Sequence, residues 1–166
     1  MGVTINFEGK LKSHKDFDNL VKISTDFAQL NKMDYQIFEE PDKLLQRVKN
    51  EKDWDYQGIT RGIKIQPDVN SDPLWLEFDI DYYIQEYCKT QFVDIDVHVK
   101  IIELLKKIEP YFQVLIVDDE GEYWNTGDIQ LLQNNLDNCF RAIEVAKSEN
   151  PNLSGPYRIK GERIVD

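Results

Sequence analysis

Three stretches of the chain repeat apolar residues at intervals of three and four, the spacing that places them on one face of an α-helix. In the clearest stretch, residues 94–109, Asp94 can accept hydrogen bonds from free N–H groups at the start. Pro110 disfavours helical geometry at Glu109. The apolar face of this stretch consists of Val97, Ile101, Leu104, Leu105, Ile108 and Phe112. The spacing predicts three principal helices, near residues 14–30, 95–109 and 128–147.

Other stretches alternate apolar and polar residues, which is the pattern of a strand with one buried face. The clearest alternation covers residues 74–81, and another covers residues 3–8. Residues 35–38 and 59–65 predict two further strands, the second with Gly62 as a candidate bulge.

Three more stretches have less regular patterns. Residues 114–117 are apolar throughout, which suits a short strand covered on both faces. Residues 82–91 are ambiguous, and we interpret them as a strand paired with the preceding one. Residues 41–48 could form a brief helix after Pro41, but their apolar positions do not decide it.

The predicted order is strand, helix, several strands, helix, strand, helix. The simplest arrangement is a single two-layer α+β domain over residues 1–150, with about three helices packed on one face of a largely antiparallel sheet. A βαββαβ-like core is one way to build it. Residues 151–166 are a tail that forms an edge strand or stays loose. We expect one core to contain Leu76, Phe78, Ile101, Leu105, Leu115, Val117, Leu136 and Phe140.

The charge of the chain is strongly uneven. Its formal charge is −11, and residues 73–140 contain 14 acids and 4 bases. Phosphate contacts need a basic surface, so this charge argues against nucleic acid and anionic membranes as partners. It favours a protein partner with a basic surface.

No apolar run approaches the roughly 18 residues of a membrane span, and the first residues show no signal-peptide pattern. Cys88 and Cys139 make no CxxC pair and no disulfide framework, which indicates a reducing compartment, and we expect a cytoplasmic protein. In size, acidity and lack of a catalytic signature, the chain is similar to bacterial immunity proteins that neutralise toxins. That similarity is one of composition, and no motif carries it.

The sequence contains no motif for catalysis or for a cofactor. It has no GxxxxGK(S/T) or GxGxxG phosphate loop and no GxSxG elbow. A structural zinc site needs about four N or S ligands, whereas His14 and His98 are the only histidines and neither lies near a cysteine. We expect no metal, no cofactor and no catalytic residue, and we interpret His98 as a packing or surface residue.

An acidic, aromatic loop at residues 118–128 is the most unusual chemistry in the chain. An EF-hand aligned on Gly121 would place Ile116 at the first ligand position, so that pattern fails. Aromatic area beside acids suits a basic partner with an apolar patch, whereas a hard-cation site would gain nothing from an indole. The candidate partner-binding residues are Glu120, Glu122, Tyr123, Trp124, Trp75 and Asp79.

Three functions are compatible with these patterns. The first is a non-enzymatic, acidic interaction module that binds a basic protein surface. The second is an enzyme of unfamiliar type, metal-assisted through the loop at residues 118–128. The third is a small-ligand-binding domain with its cleft between the sheet and the tail. The sequence does not determine the oligomeric state.

Overall fold

Two three-stranded antiparallel sheets, joined by one hairpin, form the scaffold of this α+β domain. The computed structural model describes residues 3–151 and two short strands near the carboxyl end. In chain order the elements are β1 (Thr4–Leu11), α1 (His14–Leu30), β2 (Asp34–Leu45), β3 (Val48–Lys49), β4 (Lys52–Asp53), β5 (Tyr56–Gln66), β6 (Leu74–Phe78), β7 (Tyr83–Lys89), α2 (Ile95–Ile108), β8 (Phe112–Asp119), α3 (Tyr123–Thr126), α4 (Ile129–Glu149), β9 (Tyr157–Arg158) and β10 (Ile164–Val165).

The first sheet has the strand order β7–β1–β8, and the second has the order β2–β5–β6. All of these neighbours are antiparallel, as predicted. The hairpin from β6 to β7 joins the sheets, because Asp79 N–H donates to the Tyr83 carbonyl (3.0 Å) and Asp72 N–H donates to the Lys89 carbonyl (3.2 Å). In the predicted tail, β9 pairs with β10, and the other residues after 151 lie outside the described part of the chain.

Helices α1 and α2 cover the same face of both sheets. One core joins them to the strands, with Leu20 from α1, Ile101 from α2, Phe7 from β1 and Leu76 from β6 all buried in it. Helix α4 contacts α2 and packs around a second, smaller cluster of Val3, Leu132, Leu136 and Cys139. The opposite face of the first sheet remains accessible, and this accessible face carries the candidate site.

The three principal helices are confirmed, with a short fourth helix, α3, between β8 and α4. The side chain of Ser13 accepts a hydrogen bond from Asp16 N–H at the start of α1, and that of Asp128 accepts one from Leu131 N–H at the start of α4. Asp94 stands at the N-cap position of α2, but its side chain makes no cap hydrogen bond. None of the helices among the described residues is both long enough and apolar enough to cross a membrane.

The expectation that residues 114–117 are covered on both faces was wrong. Val114 is 55% exposed and Ile116 is 58% exposed, because the helices cover one face of the first sheet and these side chains point to the other. Leu115 and Val117, on the covered face, are partly buried against the main core.

Two residues that were expected in the single core, Leu136 and Phe140, lie outside it. Leu136 belongs to the smaller cluster around α4. Phe140 is 42% exposed and contacts the ring of Phe92 edge-on, with the ring centroids 5.8 Å apart. An apolar stripe shows that a helix face is covered, but it does not show which neighbour covers it.

The structure decides two points along the second sheet that the sequence left open. Residues 41–45 continue β2, and the irregularity in its register lies between Glu40 and Lys43, around Pro41, whose ring removes a ladder N–H. Gly62 pairs in regular register and makes no bulge. A Cβ at Gly62 would lie 1.8 Å from the Leu76 carbonyl oxygen, so the glycine allows a close backbone approach.

Candidate functional site

On the accessible face of the first sheet, paired residues of β7, β1 and β8 form rows of three side chains across the strands. Strand β1 runs in the centre, and every second residue points to this face. Asn6 lies between Tyr87 and Asp118, and Glu8 lies between Gln85 and Ile116. We define the open face as these six residues: Asn6, Glu8, Gln85, Tyr87, Ile116 and Asp118.

A cleft of about 760 Å³ lies over the open face. The open face lines it together with Trp75 and Glu77 from β6 and with residues 43–48, the segment that follows the irregularity in β2. Leu44 and Val48 from this segment are 52% and 53% exposed. The cleft therefore combines carboxylates with exposed apolar side chains.

Two ion pairs fix residues 43–48 to the sheet. The Lys43 ammonium contacts the buried Glu77 carboxylate at 2.9 Å, and Thr60 Oγ1 donates to the same carboxylate at 2.8 Å. The Arg47 guanidinium contacts Asp79 at 2.9 Å, and both side chains are almost fully buried. Both bases that line the cleft are thus matched with buried acids.

Aromatic rings surround Arg47. Its guanidinium carbon lies 4.2 Å from the ring centroid of Trp54 and 5.3 Å from that of Tyr83, within the distance of cation–π attraction. The Tyr83 hydroxyl donates to Glu8 on the open face. Burial, together with this hydrogen bond to Glu8, raises the pKa of Tyr83 to about 12. Tyr83 therefore stays a neutral donor at neutral pH.

The acidic loop contains one buried and several exposed carboxylates. Asp119 is buried, and its Oδ1 accepts hydrogen bonds from His98 Nε2 (2.9 Å) and Gly121 N–H (2.8 Å). Its Oδ2 accepts from the N–H groups of Tyr123 and Trp124, each at 2.9 Å. Because one carboxylate holds several backbone groups, the loop has a defined shape.

His98 lies behind this loop and is fully buried. Its Nδ1 lies 2.6 Å from Thr90 Oγ1, so both ring nitrogens have partners. Burial alone would raise the pKa of Asp119, but the hydrogen bond and charge of His98, with the backbone N–H groups, hold it below its ordinary value. The sequence left open whether His98 is a packing or a surface residue; it is buried, and it makes two hydrogen bonds that the sequence did not indicate.

Four of the six predicted contact residues lie in this loop. The Glu120 carboxylate accepts from Thr4 N–H (2.8 Å) and Glu122 accepts from Asn135 Nδ2 (3.0 Å), yet both remain exposed. Tyr123 and Trp124 are half-buried, and both pack against the main core. The exposed polar part of the loop is therefore acidic.

The remaining two predicted residues lie elsewhere. Trp75 lines the cleft, and its ring has the ammonium groups of Lys43 and Lys64 at 4.4 and 4.6 Å from its centroid. Asp79 is 5% exposed and belongs to the ion pair with Arg47. The structure thus brings Trp75 to the same cleft as Asp118, whereas it places Asp79 beneath the surface.

Sequence reasoning did not single out Glu8 or Ile116 as site residues. The alternation in residues 3–8 predicts that Glu8 points away from the core, so a signal for its exposure existed. Ile116 had no such signal, because its apolar neighbours gave β8 no polar face.

Within the described residues, no three His, Cys, Asp or Glu side chains converge in a way that could hold a metal ion. No protein-family model, curated protein or solved structure matches this chain. The geometry and charge of the cleft and the loop are therefore the observations that bear on function.

Proposed function

We propose that this protein is a non-enzymatic interaction module that binds a basic surface of another protein through the open face and the adjoining acidic loop. The observation that carries the proposal is a sheet face where Val114 and Ile116 are more than half exposed next to Asp118 and Glu120. A patch of apolar area with a charged rim is the usual anatomy of a protein interface.

The charge on this surface favours a basic partner. Lys43 and Arg47 are matched with Glu77 and Asp79, so they add no net positive charge to the cleft. Glu8 accepts hydrogen bonds from two neutral groups, the Tyr83 hydroxyl and the Gln85 amide, which leave its negative charge in place. Opposite charge on a partner would accelerate association and select against acidic proteins.

A small ligand is the second candidate, because a cleft of about 760 Å³ is large enough for one. Its lining argues for a larger partner, since Leu44 and Ile116 are more than half exposed. Small-molecule sites bury most of the ligand surface, whereas a protein segment can cover a cleft that is lined by exposed side chains.

We also infer a cytoplasmic location from the two cysteines. Cys88 and Cys139 are both buried, and neither forms a disulfide. Extracellular proteins of this size commonly oxidise their cysteines in pairs, whereas a reducing compartment keeps them as thiols.

The test of the function is a matched comparison of charge-neutralised variants. Asp118→Asn/Glu120→Gln removes two charges from the proposed surface, and Asp26→Asn/Glu103→Gln removes two exposed charges from α1 and α2. We expect the tagged wild type and the helix variant to capture the same basic protein from a host extract, and the first variant to lose it. The association rate should fall as salt rises, because screening is strong beyond about 8 Å at physiological ionic strength. A captured protein that is acidic, or that both variants retain equally, would contradict the proposal.

A further inference from the structure

Strand β8 is an outer strand, and half of its backbone groups point away from the sheet. Among the described residues, β8 pairs with β1 alone. Glu120 N–H donates to the Thr4 carbonyl (3.0 Å), and from there the register runs without a break to Val114. Because hydrogen-bonded pairs alternate in an antiparallel ladder, the even-numbered residues bond to β1. Leu115 and Val117 therefore direct their N–H and C=O groups outward.

The other outer strand, β2, has the usual protection of an exposed edge. It contains Pro41, an irregular register and the exposed acids Glu39 and Glu40. Such features prevent unwanted strand pairing. Strand β8 has a register shift of its own at Gln113, but residues 114–117 beyond it contain no charge, no proline and no irregularity. This edge is therefore a ready template for another strand.

The exposed side chains along β8 specify which strand would fit. Ile116 on the open face and Val114 in the next row, opposite Lys10, offer apolar contacts, and Asp118 offers a negative charge on the other side of Ile116. Residues directly opposite each other on neighbouring strands contact through their side chains. A complementary antiparallel strand has Lys or Arg opposite Asp118 and apolar residues opposite Ile116 and Val114.

We propose that β8 binds an extended segment of the basic partner as an added antiparallel strand, with the pattern basic-x-apolar-x-apolar. This inference rests on the proposed function and names the mode of binding at the same surface. Main-chain hydrogen bonds to Leu115 and Val117 supply affinity, and the side chains on the open face supply specificity.

Charge favours this occupant over a second copy of the chain. A symmetric pairing of two β8 strands would place no base opposite Asp118, because Phe112–Asp119 contains none. Each copy also has a formal charge of −11, which opposes self-association.

The probe is a labelled, end-capped peptide, Ser-Lys-Thr-Ile-Thr-Val-Ser, titrated against the intact protein by fluorescence anisotropy. In the proposed register, Lys lies opposite Asp118, Ile opposite Ile116 and Val opposite Val114, and both Thr N–H groups point to β8. N-methylation of either Thr should weaken binding about tenfold, because it removes one hydrogen bond and adds a clash. N-methylation of the Ile, whose N–H points away, is the matched control and should change the affinity little.

A charge exchange tests the same register from the side of the protein. Asp118→Lys should lose the Lys peptide and gain a peptide with Glu at that position. If a scrambled peptide binds as well and N-methylation has no effect, strand addition is overturned while an electrostatic partner remains. Absence of binding by any peptide at low salt also overturns it, and the capture experiment then decides the function independently. A dimer of the protein alone in ultracentrifugation that Ile116→Lys disrupts would show a second copy on this edge, against the proposal.

Discussion

The turn after β6 and the turn after β8 are built on the same arrangement of an aspartate. The Asp79 carbonyl accepts from Tyr82 N–H (3.0 Å), and the Asp119 carbonyl accepts from Glu122 N–H (2.9 Å), three residues ahead in each case. Tyr82 and Glu122 both have left-handed backbone geometry, with φ of 60° and 63°. Each aspartate carboxylate also accepts backbone N–H groups of its own turn.

The two turns differ in the group that faces the carboxylate. Asp79 contacts Arg47, which comes from the segment over the cleft and is always charged. Asp119 contacts His98, which comes from α2 and is fully buried in the layer behind the loop. The same local turn thus fixes residues 43–48 beside the cleft at one site and shapes the acidic loop at the other. The comparison shows that backbone chemistry makes the turn, while a distant partner decides what the turn holds in place.

Removing either aspartate should have the largest effect on stability. Asp79→Ala and Asp119→Ala should each lower the free energy of unfolding by about 3–5 kcal/mol, because each leaves a buried partner and several N–H groups unsatisfied. Urea unfolding measures both, with the exposed Asp118→Ala as the control that should change stability by less than about 0.5 kcal/mol. If Asp79→Ala lowered the free energy of unfolding by less than the Asp118→Ala control does, Asp79 would not stabilise its turn as Asp119 does.

A smaller effect should appear on acidification at the Asp119 turn. Its pKa in the folded state lies below the ordinary 3.8, so the unfolded chain takes up this proton first as the pH falls. The stabilisation is present above the ordinary value and disappears as the pH falls through the lowered one. Melting temperatures measured from about pH 5 to pH 2 should therefore fall less steeply for Asp119→Asn than for wild type. If the melting temperatures of the two proteins fell in parallel with pH, Asp119 would not contribute to the loss of stability in acid.

The smallest effect concerns the left-handed residue in each turn. Glu122→Gly should raise the free energy of unfolding by about 0.5 kcal/mol, because glycine adopts this geometry without a Cβ penalty and the variant loses only the exposed hydrogen bond from Asn135 Nδ2. Tyr82→Gly should have the opposite sign, since the Tyr82 ring packs against Phe17 and lies over Arg61. Thermal unfolding of the two variants distinguishes them, and a shared sign would show that ring packing does not separate the turns.

The helices could be predicted because an amphipathic pattern is local. The spacing that predicts residues 14–30, 95–109 and 128–147 depends on neighbours within each helix, and the observed helices match. Which faces of β8 are buried could not be predicted in the same way. An apolar run such as residues 114–117 suits a strand covered on both faces, but whether helices or solvent lie over each face depends on distant elements.

The site was harder to predict because its charges are paired across long distances. The acidic excess of residues 73–140 includes Glu77 and Asp79, whose partners Lys43 and Arg47 lie 34 and 32 residues earlier in the chain. Counting charges along the sequence treats all acids as exposed. The fold removes some of them from the surface and concentrates the remaining apolar and acidic groups at one edge.

The position of β1 in the middle of the first sheet has a consequence for how the chain is made. Its two neighbours are Tyr83–Lys89 and Phe112–Asp119, so β1 leaves the ribosome long before either partner exists. At roughly 5–20 residues per second, the delay until β8 is synthesised is on the order of ten seconds. The second sheet lies between residues 34 and 78 and needs no later strand. During translation Ile5 and Phe7 must therefore wait without their strand partners, and the surface that carries the open face is completed after the rest of the scaffold.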